Sequence, residues 1–151
     1  MENMDLKYKS NCPFCDINKE RTRIIDEGLY VRIILSNPRL MYGHLLVVPK
    51  RHVERMSELY EEERSELISK VIEFQEKILN LLANGCDLRQ NYRPFQNQTN
   101  LKVYHLHIHL QPRELEDELY SECQRFETQI FSELKTEEKE KLSKLFSDKN
   151  Q

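Results

Sequence analysis

Residues 101–110 (LKVYHLHIHL) constrain this chain more than any other segment. Apolar and histidine side chains alternate strictly there, and in an extended strand alternate side chains share a face. Leu106, Ile108 and Leu110 therefore face a core, while His105, His107 and His109 line the opposite side at intervals of about 6.6 Å. Such a strand needs a sheet with one face buried and the other free for chemistry. Pro112 is expected to end it. An incidental or pH-sensitive surface strand is the bland reading. The chain has five histidines, and three of them at strict alternation argue against it. Two chemical readings stay open on these residues. Three imidazoles can ligate a catalytic metal. Alternatively, one neutral imidazole can attack as a nucleophile while its neighbours orient it and bind an anion, because an ordinary histidine is largely unprotonated at neutral pH.

The rest of the chain supplies partners for that strand. Residues 24–35 (IIDEGLYVRIIL) read as two short strands around a turn at Asp26-Glu27-Gly28, and residues 44–48 (HLLVV), ending at Pro49, read as a buried strand. Residues 57–83 predict one long amphipathic helix, with Ser57 as N-cap and Gly85 as terminator. Leu67, Ile68, Val71, Ile72, Ile78, Leu79 and Leu82 are expected on its packed face. Leu115, Leu119, Cys123, Phe126, Ile130 and Leu134 step by three or four, predicting a helix over 114–134, and Thr136 before Glu137 and Glu138 starts another. The expected class is α+β: an antiparallel sheet with one long helix in a domain spanning 10–113, and a helical C-terminal extension over 114–151 packed on it.

Charge and cysteine usage narrow the function. The chain of 151 residues has a formal charge of −3, which argues against a strongly basic nucleic-acid binder. The charge is uneven, with net +2 over residues 1–113 and −5 over 114–151. No apolar stretch approaches the roughly 20 residues of a membrane helix, and residues 1–10 lack the apolar block of a secretory signal. No membrane partner is expected, and a cytoplasmic, reducing setting is. There the C-x2-C pair Cys12 and Cys15 suits a metal site or a redox pair better than a disulfide. Cys86 and Cys123 read as ordinary small side chains.

His-Leu-His-Ile-His-Leu-Gln over 105–111 resembles the signature of the histidine triad family of nucleotide hydrolases and transferases, with Gln111 departing in its last apolar slot. Residues 43–52 (GHLLVVPKRH) are similar to that family's upstream strand and loop, and the long helix between the two blocks fits its spacing. The resemblance covers roughly residues 10–113. It implies that His107 is the nucleophile forming a covalent nucleotidyl-histidine, and that His109 and His44 line the phosphate site. Family transferases of the hexose-1-phosphate type carry Gln where His109 stands, so His109 implies a hydrolase. Arg113 after Pro112 resembles the dinucleoside-polyphosphate branch. By the same resemblance Cys12, Cys15, His52 and His105 form the set that holds a structural zinc ion, leaving His107 and His109 free. The substrates implied are dinucleoside polyphosphates or nucleoside phosphoramidates, and the assembly implied is a homodimer.

Two segments depart from the family pattern. The stretch before the triad has no glycine, so Asn97, Gln98, Thr99 and Asn100 are expected to supply side-chain contacts that backbone N–H groups make elsewhere, and Lys102 to add charge. Asn37 lies seven residues before His44, where the family places a ribose-binding residue eight before, and is expected to fill that role. A non-catalytic nucleotide-binding or interaction protein on the same scaffold is the rival reading that these departures favour.

Overall fold

The computed structural model describes residues 8–99 and 101–147. Five antiparallel strands form one sheet: β1 (Ile24–Glu27), β2 (Val31–Leu35), β3 (Leu45–Pro49), β4 (Gly85–Arg89) and β5 (Ile108–Arg113), in the order β1-β2-β3-β5-β4. The first long helix, α1 (Glu61–Leu81), connects β3 to β4. The chain divides into two compact units, residues 1–115 and 116–151.

Alternation along the strands sorts side chains to the two faces of the sheet. Val31, Ile33, Leu45, Val47, Ile108 and Leu110 pack with Leu67, Val71, Phe74 and Ile78 of α1 in the main core. Each such side chain contributes about 1.5–3 kcal/mol by leaving water. On the other face Ile34, Leu46 and Val48 pack with Phe14, Ile17 and Ile24 in a smaller cluster. His109 pairs with Leu46 across the β3–β5 ladder, so the histidine chemistry lies on this second face, away from α1.

The triad strand is shorter at its start and longer at its end than the alternation predicts. β5 begins at Ile108, not Leu101. The β3–β5 ladder ends at Val47↔Ile108, two residues short of Pro49, which has no N–H to continue it. The preceding residues bond to loops instead: Leu106 N–H donates to Val53 O at 2.6 Å, and Tyr104 N–H to Gln98 Oε1 at 3.2 Å. The strand also runs through Pro112 to Arg113. Beyond Leu110 it pairs only with β4, so a residue without an N–H is tolerated.

Other expectations shift in the same way. The residues before α1 form a separate 3-10 turn (Met56–Glu58) containing Ser57, and the helix starts at Glu61 with no side-chain cap. The turn closes on itself because the Glu58 carboxylate accepts from the N–H groups of Glu54 and Arg55 at 3.1 and 2.8 Å. Gly85 opens β4 rather than terminating the helix. Ile68, Ile72, Leu79 and Leu82 are exposed, not packed. Glu63 turns inward instead and pairs with Arg51, whose Nε and Nη2 reach its two oxygens at 2.9 and 3.2 Å. That buried fork ties the loop after β3 to α1.

The second unit is not one helix over 114–134. It holds α2 (Glu118–Glu122), a 3-10 segment (Gln124–Gln129) and α3 (Thr136–Ser147). Asp117 caps α2 by accepting from Tyr120 N–H at 3.0 Å, and Cys123 leaves the helical region at φ −131°. None of the residues in these elements is buried, and helices this short have little to hold them in register over a longer span.

Candidate active site and metal cluster

All five histidines converge, in two groups joined by His105. The first group is His44, His107 and His109. Gly43 sets it up with φ +84°, a conformation that L side chains rarely adopt. A Cβ there would collide with Leu82 and press on Pro112 Cγ at 3.1 Å. This turn delivers His44 to the start of β3. Leu40 N–H donates to His44 Nδ1 at 3.1 Å, so the neutral ring carries its proton on Nε2. That proton is donated to His109 Nδ1 at 2.9 Å, which in turn leaves the proton of His109 on Nε2.

His107 is oriented from the other side. Its Nδ1 lies 2.6 Å from the carbonyl oxygen of His105. A carbonyl only accepts, so Nδ1 carries the hydrogen and Nε2 carries the lone pair. The rings of His107 and His109 are 4.8 Å apart, and Phe14 stands edge-on to His107 at 5.1 Å.

Burial keeps these rings neutral. It lowers His44 to about 4 and His109 to about 3, with the neighbouring His107 charge adding to both. His107 is lowered by burial too, against the raising effect of its bond to the His105 carbonyl. At neutral pH the group presents one free lone pair and one N–H donor, the pairing that nucleophilic attack on an anionic centre needs.

His44, His107 and His109 line a cavity of about 500 Å³, within the usual range for small-molecule sites. Phe14, Ile34, Leu40 and Leu46 give it apolar walls. Asn37 lies in its lining, with Nδ2 donating to Arg21 O at 2.6 Å. Lys102 lines an adjoining cavity that His107 and His109 also reach. Gln98 is not brought to either lining, since its Oε1 holds the Tyr104 amide; its neighbours Gln96, Asn97 and Thr99 are. Arg113 is also absent from both, and its Nη1 pairs with Asp87 Oδ2 at 2.5 Å. Asn100 lies outside the described residues.

Several residues escaped the sequence reading. Phe14 gave no signal beyond its place inside C-x2-C. The Leu40 amide is a backbone group and leaves no trace in composition. Arg89, on the unforeseen β4, lines the larger cavity and its charge lowers His109 further. Gln111, the departure from the signature, is 3% exposed and also lines that cavity.

The second group is Cys12, Cys15, His52 and His105, all buried, with one ligand atom from each lying within 4.8 Å of the others. His105 Nε2 is 2.7 Å from Pro49 O, so it donates there and turns the Nδ1 lone pair toward Cys12 and Cys15 Sγ at 3.4 and 3.5 Å. His52 Nδ1 lies 3.3 Å from Cys15 Sγ. Bonds of about 2.0–2.3 Å in a tetrahedron give ligand separations of about 3.3–3.8 Å. The three separations above match that range and the whole set lies within 4.8 Å, so a small contraction would close these residues on one metal ion. Burial raises the Cys12 thiol, and a bound cation would reverse that shift.

Known proteins share the family domain and the fold. The profile of the HIT domain matches residues 17–116. An uncharacterized HIT-like protein of Methanocaldococcus jannaschii is 35% identical over 105 residues, covering 68% of this chain and 78% of that protein. A solved HIT family hydrolase from Clostridium thermocellum superposes with a TM-score of 0.56 at 27% identity, over 72% of this chain and 96% of that one. A solved Zn-bound histidine triad family protein from Mycobacterium smegmatis superposes with a TM-score of 0.59 at 26% identity, over 72% of this chain and 79% of that one. The HIT domain match across residues 17–116 and the 35% identity to a HIT-like relative place the chain in the histidine triad (HIT) family.

Proposed function

We propose that this protein is a nucleotide hydrolase that cleaves at the α-phosphorus of dinucleoside polyphosphates or nucleoside phosphoramidates. The observation that carries the reading is the bond from His107 Nδ1 to the His105 carbonyl, which leaves Nε2 as the lone-pair nitrogen of a residue lining the cavity. In the first step His107 Nε2 forms a bond to phosphorus and the leaving group departs. His109 Nε2–H and the His44 ring behind it stabilise charge on the phosphoryl oxygens. In the second step water attacks phosphorus, the N–P bond breaks and the nucleotide is released. Asn37 contacts the ribose, and Lys102 contacts the phosphates. Gln98, Asn100 and Arg113 are left without a role in this reading.

Zinc is the metal proposed for the Cys12, Cys15, His52 and His105 cluster. A closed Cys2His2 set serves structure rather than catalysis. Bound there, zinc would tie the N-terminal segment and Phe14 to His105, whose carbonyl orients His107. We also propose a homodimer in the cytoplasm, formed through the exposed apolar side of α1. Among the described residues no helix is long and apolar enough to cross a membrane.

The test is product release from diadenosine tetraphosphate and adenosine 5′-phosphoramidate by wild type and His107→Ala. Release by wild type that is lost in the variant is expected. Equal release by both, or nucleotide binding without release by either, overturns the reading, the second in favour of a binding module.

A further inference from the structure

His107 and His109 line not one cavity but two. The second has a volume of about 430 Å³ and a different chemistry. The first carries Arg21, Arg39 and Arg89 beside its apolar walls; the second shares Asn91, Thr99, Leu101, His107 and His109 with it and adds Arg93, Gln96, Asn97 and Lys102. Its described lining includes no carboxylate. Among the described residues neither Arg93 nor Lys102 takes part in an ion pair. Lys102 is held below the ordinary lysine range, by burial first and then by the charge of Arg93. Both also line a neighbouring cavity with Glu54, but neither is ion-paired to it among the described residues. Two cations held within reach of each other repel, and an anion between them relieves that cost.

The geometry points to a leaving-group site: the second cavity receives the part of the substrate expelled from phosphorus, and Arg93 and Lys102 select a leaving group that carries phosphate charge over a neutral amine. This rests on the reading of His107 as the nucleophile. As His107 Nε2 forms the N–P bond, the bond from phosphorus to the leaving oxygen breaks and its electron pair stays on that oxygen. A phosphate leaves in this way as an oxyanion without taking a proton, and fixed positive charge lowers its energy. An amine gains a proton at nitrogen as the P–N bond breaks and leaves without negative charge, so fixed positive charge gives it no such stabilisation. The Arg93 guanidinium can fork onto two phosphate oxygens. The glycine-free loop thus replaces backbone amides with side-chain cations. Of the two substrate classes proposed above, the assignment favours dinucleoside polyphosphates.

The test uses two readouts on the full chain. Inorganic tripolyphosphate is titrated calorimetrically into wild type and the double variant Arg93→Gln/Lys102→Gln. Then kcat/KM is measured for diadenosine tetraphosphate and for adenosine 5′-phosphoramidate on both proteins, with thermal unfolding to show that the variant folds. The expected result is a loss of tripolyphosphate affinity of about tenfold or more, and a fall of similar size in the ratio of the two kcat/KM values. Lys102→Arg in place of Gln should retain most of both. An unchanged ratio, or equal tripolyphosphate affinity in wild type and double variant, overturns the proposal. If wild type binds tripolyphosphate through this pair but hydrolyses neither substrate, the hydrolase reading falls while the anion site stands.

Discussion

Acidification should unfold this protein through two particular histidines. The His44 ring is buried and the His109 ring half-buried; the two are joined at 2.9 Å and held neutral, with values near 4 and 3 against an ordinary 6.5. The unfolded chain binds protons at these residues below pH 6.5, and the folded chain does not. Their contribution is therefore complete above about pH 6.5 and is lost as pH falls toward the folded-state values. Between pH 7 and pH 5, linkage gives about 2 kcal/mol for one such histidine. A proton on His109 Nδ1 breaks the bond between the rings, and a proton on His44 Nδ1 breaks the bond from Leu40 N–H, so each ring resists protonation and the pair contributes at least the value for one. The measurement is urea unfolding at pH 7 and pH 5 on wild type and on His44→Gln/His109→Gln. Taking the difference in pH dependence between the two proteins removes the carboxylates and the metal cluster, which both retain. Wild type should lose about 2 kcal/mol or more beyond what the variant loses. Equal losses would refute the argument that these rings are stored neutral.

The metal cluster and the apolar side of α1 give two further expectations. Chelation, or Cys15→Ser, should lower thermal stability and hydrolysis together, because His105 both faces the cluster and orients His107; activity lost at unchanged stability would point to a catalytic metal. Ile72→Glu, placed among the exposed Ile68, Leu79 and Leu82, should convert the proposed dimer to a monomer by light scattering without unfolding it, and a wild type already monomeric at working concentration would contradict that interface.

Much of the site could be read from the sequence because its chemistry is encoded locally. His105, His107 and His109 stand two apart, and Leu106, Ile108 and Leu110 between them are buried as their alternation requires. The two strands of 24–35 and the run before Pro49 were legible for the same reason. What was not legible depends on partners distant in sequence. Whether residues 101–107 join the sheet is decided by Pro49, more than 50 positions earlier, which lacks the N–H that would extend the ladder. β4 is polar and largely exposed, so Gly85 looked like the end of a helix rather than the start of an edge strand. Glu63 sits inside α1 as a buried partner of Arg51, which no periodicity of apolar residues signals. The apolar stripe of 114–134 suggested one helix, but no residue there is buried and Cys123 breaks the run. Phe14 against His107 is likewise a tertiary contact of a residue whose neighbours in sequence are cysteines.

Covalent attachment of His107 to phosphorus would be recorded in the stereochemical course of hydrolysis. A dinucleoside polyphosphate made chiral at the α-phosphorus with sulfur and an oxygen isotope would be hydrolysed in labelled water, and the configuration of the released nucleotide determined. Two successive in-line displacements, first by His107 Nε2 and then by water, predict net retention. Net inversion would mean that water attacks phosphorus directly, and that His107 is not the nucleophile.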